Sequence, residues 1–322
     1  MEIDFSQMAL CRMLGIRYPV IMAPMFLVSN EKMLIAASES GIAGAIPALN
    51  YRTTDDLREG IRTIRKACTG PIGINLIVNA SNFLMDEQLQ VCCEEKVNFF
   101  ITSLGSPAKV IEEAHKNGIL VFCDVTDVTY AKKVADLGAD GVIAVNNQAG
   151  GHLGNQSPEQ LIRAIREVVS IPVISAGGVG CFEDLKRVAA YGADGFSIGS
   201  IFIASEEADV SEEYKKACVD FGAKDIVTTT KLSGTPCTVI RTPYVDEIGT
   251  SQNGLERFLN RHKRLKKWFK AIVFYRGMKR LKKAAFSATY KTVWCAGPSI
   301  EHVHSIRPVR QIVNELIHGT GK

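Results

Sequence analysis

Short apolar runs recur along the chain at residues 19–23, 43–46, 72–76, 99–102, 120–124, 141–145, 172–176 and 195–198. Each is continuously apolar instead of alternating, as strands covered on both faces must be. Between them lie segments with apolar residues spaced at three and four, the helical pattern: 30–40, 54–67, 108–117, 131–137, 158–169 and 182–191. Ser157-Pro158 reads as an N-cap followed by proline in the first turn. Gly41, Gly118, Gly138 and Gly192 follow helix ends, where a left-handed residue stops a helix. The turn Leu137-Gly-Ala-Asp-Gly141 returns as Tyr191-Gly-Ala-Asp-Gly195, each joining a helix end to a strand start. Eight consecutive βα units predict a closed (β/α)8 barrel, eight being the closure number of that fold, over an open doubly wound sheet.

The pattern stops near residue 224. The division expected is a barrel over 1–224 and, over 225–322, a loop insertion followed by a basic helical extension packing on the barrel. Residues 235–243 read as loop. Residues 257–291 carry 13 Lys or Arg and no Asp or Glu. Without those 13, the remaining 25 basic residues face 34 acidic ones, so the net charge of +4 hides an acidic-leaning barrel and a basic appendage. Trp268, Phe269, Phe274 and Tyr275 lie in that appendage. A solvated arm packing its aromatics on the barrel or on a second subunit explains it better than a membrane-surface or nucleic-acid contact, and no nucleic-acid motif accompanies it.

The nine cysteines are scattered, with no Cys-x-x-Cys pair, which suits free thiols in a reducing cytoplasm. The start, Met1-Glu2-Ile3-Asp4, lacks the apolar stretch of a signal peptide, and no run is long enough to span a bilayer.

Barrel enzymes place their chemistry at the C-terminal ends of the strands. The seventh run leads into Ser175-Ala-Gly-Gly-Val-Gly180 and the eighth into Ile198-Gly-Ser200. Small residues in these two loops let backbone N–H groups approach a phosphate. The sixth run leads into Gln148-Ala-Gly-Gly-His152, where glycines let the backbone pass a flat ligand and present His152, a candidate acid/base. Asn75 lies next to the end of the third run, and an amide there needs a partner, a ligand being the expected one. His302 and His304 lack acidic or Cys companions in sequence, so no metal site is expected.

Pro19-Val-Ile-Met-Ala-Pro-Met25, Gly73-Ile-Asn75, Ala149-Gly-Gly-His152, Ala176-Gly-Gly178 and Ile198-Gly-Ser200 stand in the order found in the nitronate monooxygenase family. That family was formerly called 2-nitropropane dioxygenase and is close kin to the FMN-containing enoyl-acyl-carrier-protein reductases. The resemblance covers roughly residues 15 to 245, and Ala-Gly-Gly-His-x-Gly is its most specific element. It implies non-covalent FMN, with Ala23, Pro24, Met25 and Asn75 along the isoalloxazine ring and Ala149 and Gly150 beside it. Gly177, Gly178, Gly199 and Ser200 would hold the phosphate, and His152 would face the substrate. The activity implied is oxidation of a nitronate by FMN and O2 to a carbonyl compound and nitrite. The alternatives on the same scaffold are NAD(P)H-dependent reduction of an unsaturated acyl thioester or of a quinone. A second copy of the chain is a further candidate partner. Two positions depart from the family pattern: Gln148 stands where a Glu is usual, and Cys295-Ala-Gly-Pro298 where Ala-Gly-Gln is common.

Overall fold

Eight parallel strands close into a barrel in the computed structural model, which describes residues 4–79, 82–230, 235–251 and 293–319. The basic stretch 257–291 lies outside the described residues. The barrel strands are β1 (Val20–Met22), β2 (Ala43–Pro47), β3 (Ile72–Ile77), β4 (Phe99–Ser103), β5 (Leu120–Val125), β6 (Gly141–Val145), then β8 (Val173–Ala176) and β9 (Gly195–Ile198). Helices α2 (Glu31–Glu39), α3 (Thr54–Ala67), α4 (Met85–Glu94), α5 (Ala108–Lys116), α6 (Val128–Asp136), α7 (Pro158–Arg166) and α8 (Phe182–Ala190) alternate with them. The expected (β/α)8 barrel is therefore present, with each strand within a residue or so of its apolar run.

Side chains alternate along a strand, so every second residue fills the barrel. Ile21, Ala43, Ala45, Phe99, Ile101, Phe122, Ile143 and Ile174 form that interior, with Leu10 and Leu14 of α1 (Ala9–Leu14) packed into the same cluster. Phe99 and Phe122 meet edge to face at 5.7 Å. Neighbouring strands make room for them: a Cβ on Gly73 would stand 2.2 Å from the Phe99 ring, and one on Gly141 2.9 Å from Phe122. The repeated Gly-Ala-Asp turn does the same work twice. Gly138 and Gly192 adopt positive φ. Asp140 then accepts from Val121 N at 2.7 Å and Asp194 from Val173 N at 2.8 Å, pinning neighbouring strand starts.

Beyond the barrel the structure is more regular than the expected loop. Residues 235–243 contain β11 (Cys237–Ile240), which pairs antiparallel with β10 (Ile226–Thr229) on one side and with the two-residue β7 (Gly151–His152) on the other. A four-residue strand is too short to show a period, which is why it reads as loop in the sequence. Ile240 N donates to Trp294 O at 2.9 Å, and Trp294 stacks on Tyr214 of α9 (Glu212–Asp220) at 5.6 Å. The chain ends its described part in α11 (Val309–His318), counting α10 as Pro243–Ile248. The buried stripe Val309, Ile312, Val313, Leu316 and Ile317 of α11 packs against α2 and α8.

Candidate active site

A cavity of about 630 Å³ opens at the C-terminal ends of the barrel strands. Its floor is the layer directly above the interior side chains. Ala23, Pro24, Met25, Asn75, Ala149, Gly150, His152, Gly177, Gly199 and Ser200 all line it. Of the residues singled out in the sequence only Gly178 is not on the wall. Its positive φ turns it toward Gln148, whose Oε1 would stand 2.2 Å from an added Cβ.

The close approach expected of the glycines is measurable. A Cβ on Gly150 would lie 2.7 Å from Ser200 Oγ and 2.9 Å from Gly297 N, and one on Gly177 2.5 Å from Ala149 N. Gly199 faces the Met25 sulfur, 3.3 Å from where its Cβ would be. The loops after β1, β6, β8 and β9 thus touch one another and leave a narrow, backbone-lined cradle. Such a cradle fits a flat ring carrying a phosphate, which backbone N–H groups bind without a fixed cation. The residues present therefore fit a phosphate-bearing flavin.

Three residues that build this cradle escaped the sequence reading. Asn146 is fully buried; its Oδ1 accepts from Gln148 N at 2.8 Å and its Nδ2 donates to Gly177 O at 3.0 Å. It ties the loop after β6 to the loop after β8. Thr238 on β11 donates to Ala149 O at 2.7 Å, and Gly297 N donates to Ser200 Oγ at 2.8 Å. These partners come from segments far along the chain, so no local motif announces them.

His152 follows the sixth run as expected, and there it sits on the two-residue β7, paired with Cys237. Solvent reaches it, but enough protein surrounds it that burial pushes its pKa below the ordinary histidine value. Gln148, on the same wall, adds no charge that would pull that value back up. The neutral ring therefore predominates at pH 7, as a general base requires.

The opposite wall carries a polar chain. Asn75 Nδ2 donates to Ile101 O at 3.0 Å and to Ser103 Oγ at 2.8 Å, and Ser103 Oγ donates to Asp124 Oδ2 at 2.5 Å. Burial raises the Asp124 carboxyl to about 6, opposed by the Ser103 hydrogen bond. The partner expected for Asn75 is thus met in part by protein. Asp124 is visible in the sequence as a carboxylate ending an apolar run, but nothing local in the sequence marks it as cavity wall.

His302 does have acidic and Cys companions, contrary to the reading from sequence spacing. They come from the start of α8: Cys181, Asp184 and His302 bring one ligand atom each within 4.8 Å of one another. Asp184 is already engaged by Gly180 N at 3.0 Å, Arg187 at 2.7 Å and His302 at 3.3 Å. Burial alone would raise its carboxyl, but His302, the Gly180 N–H and Arg187 hold it at about 2. The cluster clamps residues 298–302 onto the glycine loop after β8.

Known proteins share this architecture. The structure of FabK from Thermotoga maritima superposes with a TM-score of 0.83 at 29% identity, covering 96% of this chain and 94% of that one. A 5-hydroxy-7a-methyl-1-oxo-octahydro-1H-indene-4-carboxyl-CoA dehydrogenase of Rhodococcus jostii is 27% identical over 76% of this chain and 69% of its own length. A probable nitronate monooxygenase of Staphylococcus aureus is 26% identical over 74% of this chain and 79% of its own. Residues 7–319 match the family described as nitronate monooxygenase. A closed barrel, a glycine-lined cradle and a histidine on one cavity agree with that match, and the chain belongs to the nitronate monooxygenase family of oxidoreductases.

Proposed function

We propose that the protein is an FMN-dependent oxidoreductase that oxidises a nitroalkane, through its nitronate, to a carbonyl compound and nitrite with O2. The observation that carries this reading is the place of His152 on the same cavity as the cradle, with the protein around it pushing its pKa below the ordinary histidine value. A neutral nitroalkane is a carbon acid, and its α-proton must leave before electrons do. His152 takes that proton on its ring nitrogen. Ala149 and Gly150 hold the backbone flat beside the ring site, and Asn146 keeps the phosphate loop in place. Bound FMN would supply the electron acceptor.

The second reading is reduction of an unsaturated acyl thioester by NAD(P)H through the same flavin. It is favoured by the apolar cavity wall of Phe26, Leu49, Ile77 and Leu104, which suits an acyl chain, and by the FabK likeness.

Anaerobic mixing of the purified protein with NADH, NADPH or a nitroalkane, followed by flavin absorbance, separates the two. Bleaching by the nitroalkane alone supports oxidative denitrification. Bleaching by a pyridine nucleotide alone overturns it in favour of the reductase. Heat-released FAD in place of FMN would overturn the cofactor reading for both.

A further inference from the structure

Outside the cavity, three side chains that bind metals in different ways meet where the C-terminal segment crosses the loop after β8. Cys181 stands just before α8, Asp184 lies in its first turn, and His302 arrives from more than a hundred residues further on. Each brings a ligand atom within 4.8 Å of the other two, and among the described residues they are the one such trio of His, Cys and acidic groups. None of the three lines the cavity.

The backbone sets this meeting. A Cβ on Gly180 would lie 2.6 Å from His302 Cδ2 and 2.9 Å from Ser299 O, so a glycine at 180 is what lets residues 299–302 come this close. Asp184 uses its two oxygens differently. Oδ1 takes Arg187 at 2.7 Å, and Arg187 in turn donates to Gly178 O at 3.3 Å. Oδ2 accepts from Gly180 N at 3.0 Å and faces His302 Nε2 at 3.3 Å. One oxygen is thus anchored to the glycine loop while the other is presented, as outer partners present a metal-binding carboxylate. Cys181 turns its thiol to the same carboxylate.

The spacing suits one ion. Zinc bonds of about 2.0–2.3 Å at tetrahedral angles put neighbouring ligand atoms roughly 3.3–3.6 Å apart. The Oδ2–Nε2 separation of 3.3 Å already meets that edge. The thiol has at most about 1 Å to close, within reach of a rotation of the Cys181 side chain. A thiolate and an imidazole select zinc over magnesium or calcium, which take oxygen. Thiolate and carboxylate together offset the two charges of the ion. The partly exposed side of His302 admits a water as fourth ligand.

We propose that Cys181, Asp184 and His302 bind a zinc ion that fastens residues 298–302 to the loop after β8. The ion would hold the outside of the cradle and take no part in the reaction, so the proposal stands without the function proposed above.

The test uses the full chain as purified, stripped with a chelator and titrated calorimetrically with zinc chloride or magnesium chloride. Alkylation of Cys181 by iodoacetamide is followed in parallel by peptide mass spectrometry, the other eight cysteines serving as internal controls. Zinc is expected to bind at one equivalent and to slow Cys181 alkylation by about tenfold or more, and magnesium to do neither. Loss of an outer partner costs about 10–100-fold in metal affinity, so loss of a ligand in His302→Ala or Cys181→Ser should cost about 100-fold or more. Serine is well accepted at a helix N-cap, so Cys181→Ser keeps the fold and decides the matter alone if the histidine variant does not fold. The proposal is overturned if zinc does not bind, if it binds without shielding Cys181, if the shielding survives His302→Ala, or if Cys181→Ser binds zinc as the wild type does.

Discussion

Asn146 donates to the carbonyl of Gly177 at 3.0 Å, so one buried amide at the end of β6 holds the loop that follows β8. Replacing it with leucine keeps the volume and strands two backbone groups on half-buried residues, Gly177 C=O and Gln148 N–H. An orphaned group costs about 1–3 kcal/mol when fully buried and less where solvent reaches it, as here. Asn146→Leu is expected to retain the fold with a lowered Tm and to lose FMN on gel filtration. Wild-type flavin content, read as absorbance per mole of protein, would show that the two loops are held by other means.

His152→Asn should slow turnover of a neutral nitroalkane by on the order of 10²-fold or more, the usual effect of losing a general base. A preformed nitronate has already lost that proton, so its turnover in the same variant should fall much less. Wild-type turnover of the neutral substrate should rise to a plateau with pH, with a midpoint below the ordinary histidine value. Equal losses with both substrates would assign His152 to positioning.

The raised pKa of Asp124 makes a prediction about stability. A carboxyl whose folded value lies above its unfolded one binds the extra proton in the folded state, so stability falls as pH rises from about 4 toward 6. Above that window the buried charge is a standing cost. Asp124→Asn should therefore raise Tm at pH 8 and leave it nearly unchanged at pH 4. Measured Tm values in the opposite order would show that the ionised carboxylate is compensated.

The Asp184–His302 pair has the opposite signs. Asp184 is held at about 2, so its contribution is present above its unfolded value near 4 and is lost as pH falls toward 2. His302 is raised by the same carboxylate, so its contribution is full below about 6.5 and is lost as pH rises through its folded value. The clamp is therefore strongest between about pH 4 and 6.5. His302→Ala should lower Tm at pH 5.5 more than at pH 9, as followed by circular dichroism. A pH-independent deficit would mean that packing against Gly180, and not the ion pair, is what His302 supplies.

The barrel was legible because its strands are buried on both faces, and a run such as Gly141–Val145 can then be nothing but apolar. The helix α4 was not read, since its inner face includes a buried Gln88 whose Oε1 accepts from Asn82, and that polarity blurs the period. In the site, the glycine loops and His152 were readable because their chemistry is local. Asn146, Thr238 and Gly297 were not, because each acts on a partner in another loop; Thr238 and Ala149 are 89 residues apart. Asp124 falls between these cases. Its residue type and strand-end place are plain, but its hydrogen bond from Ser103 emerges only once the strands stand side by side.

The pairing of Gly297 with Ser200, and of Trp294 with β11, also bears on the order in which the protein matures. Every barrel strand lies before residue 199, so the barrel can close while the chain is still being made. The wall that seats the histidine needs residues 237–240, and the cradle needs residues 293–302, which leave the ribosome much later. A nascent chain would thus hold a finished scaffold with an unfinished pocket, and flavin capture becomes a late event that reports on synthesis having passed this segment.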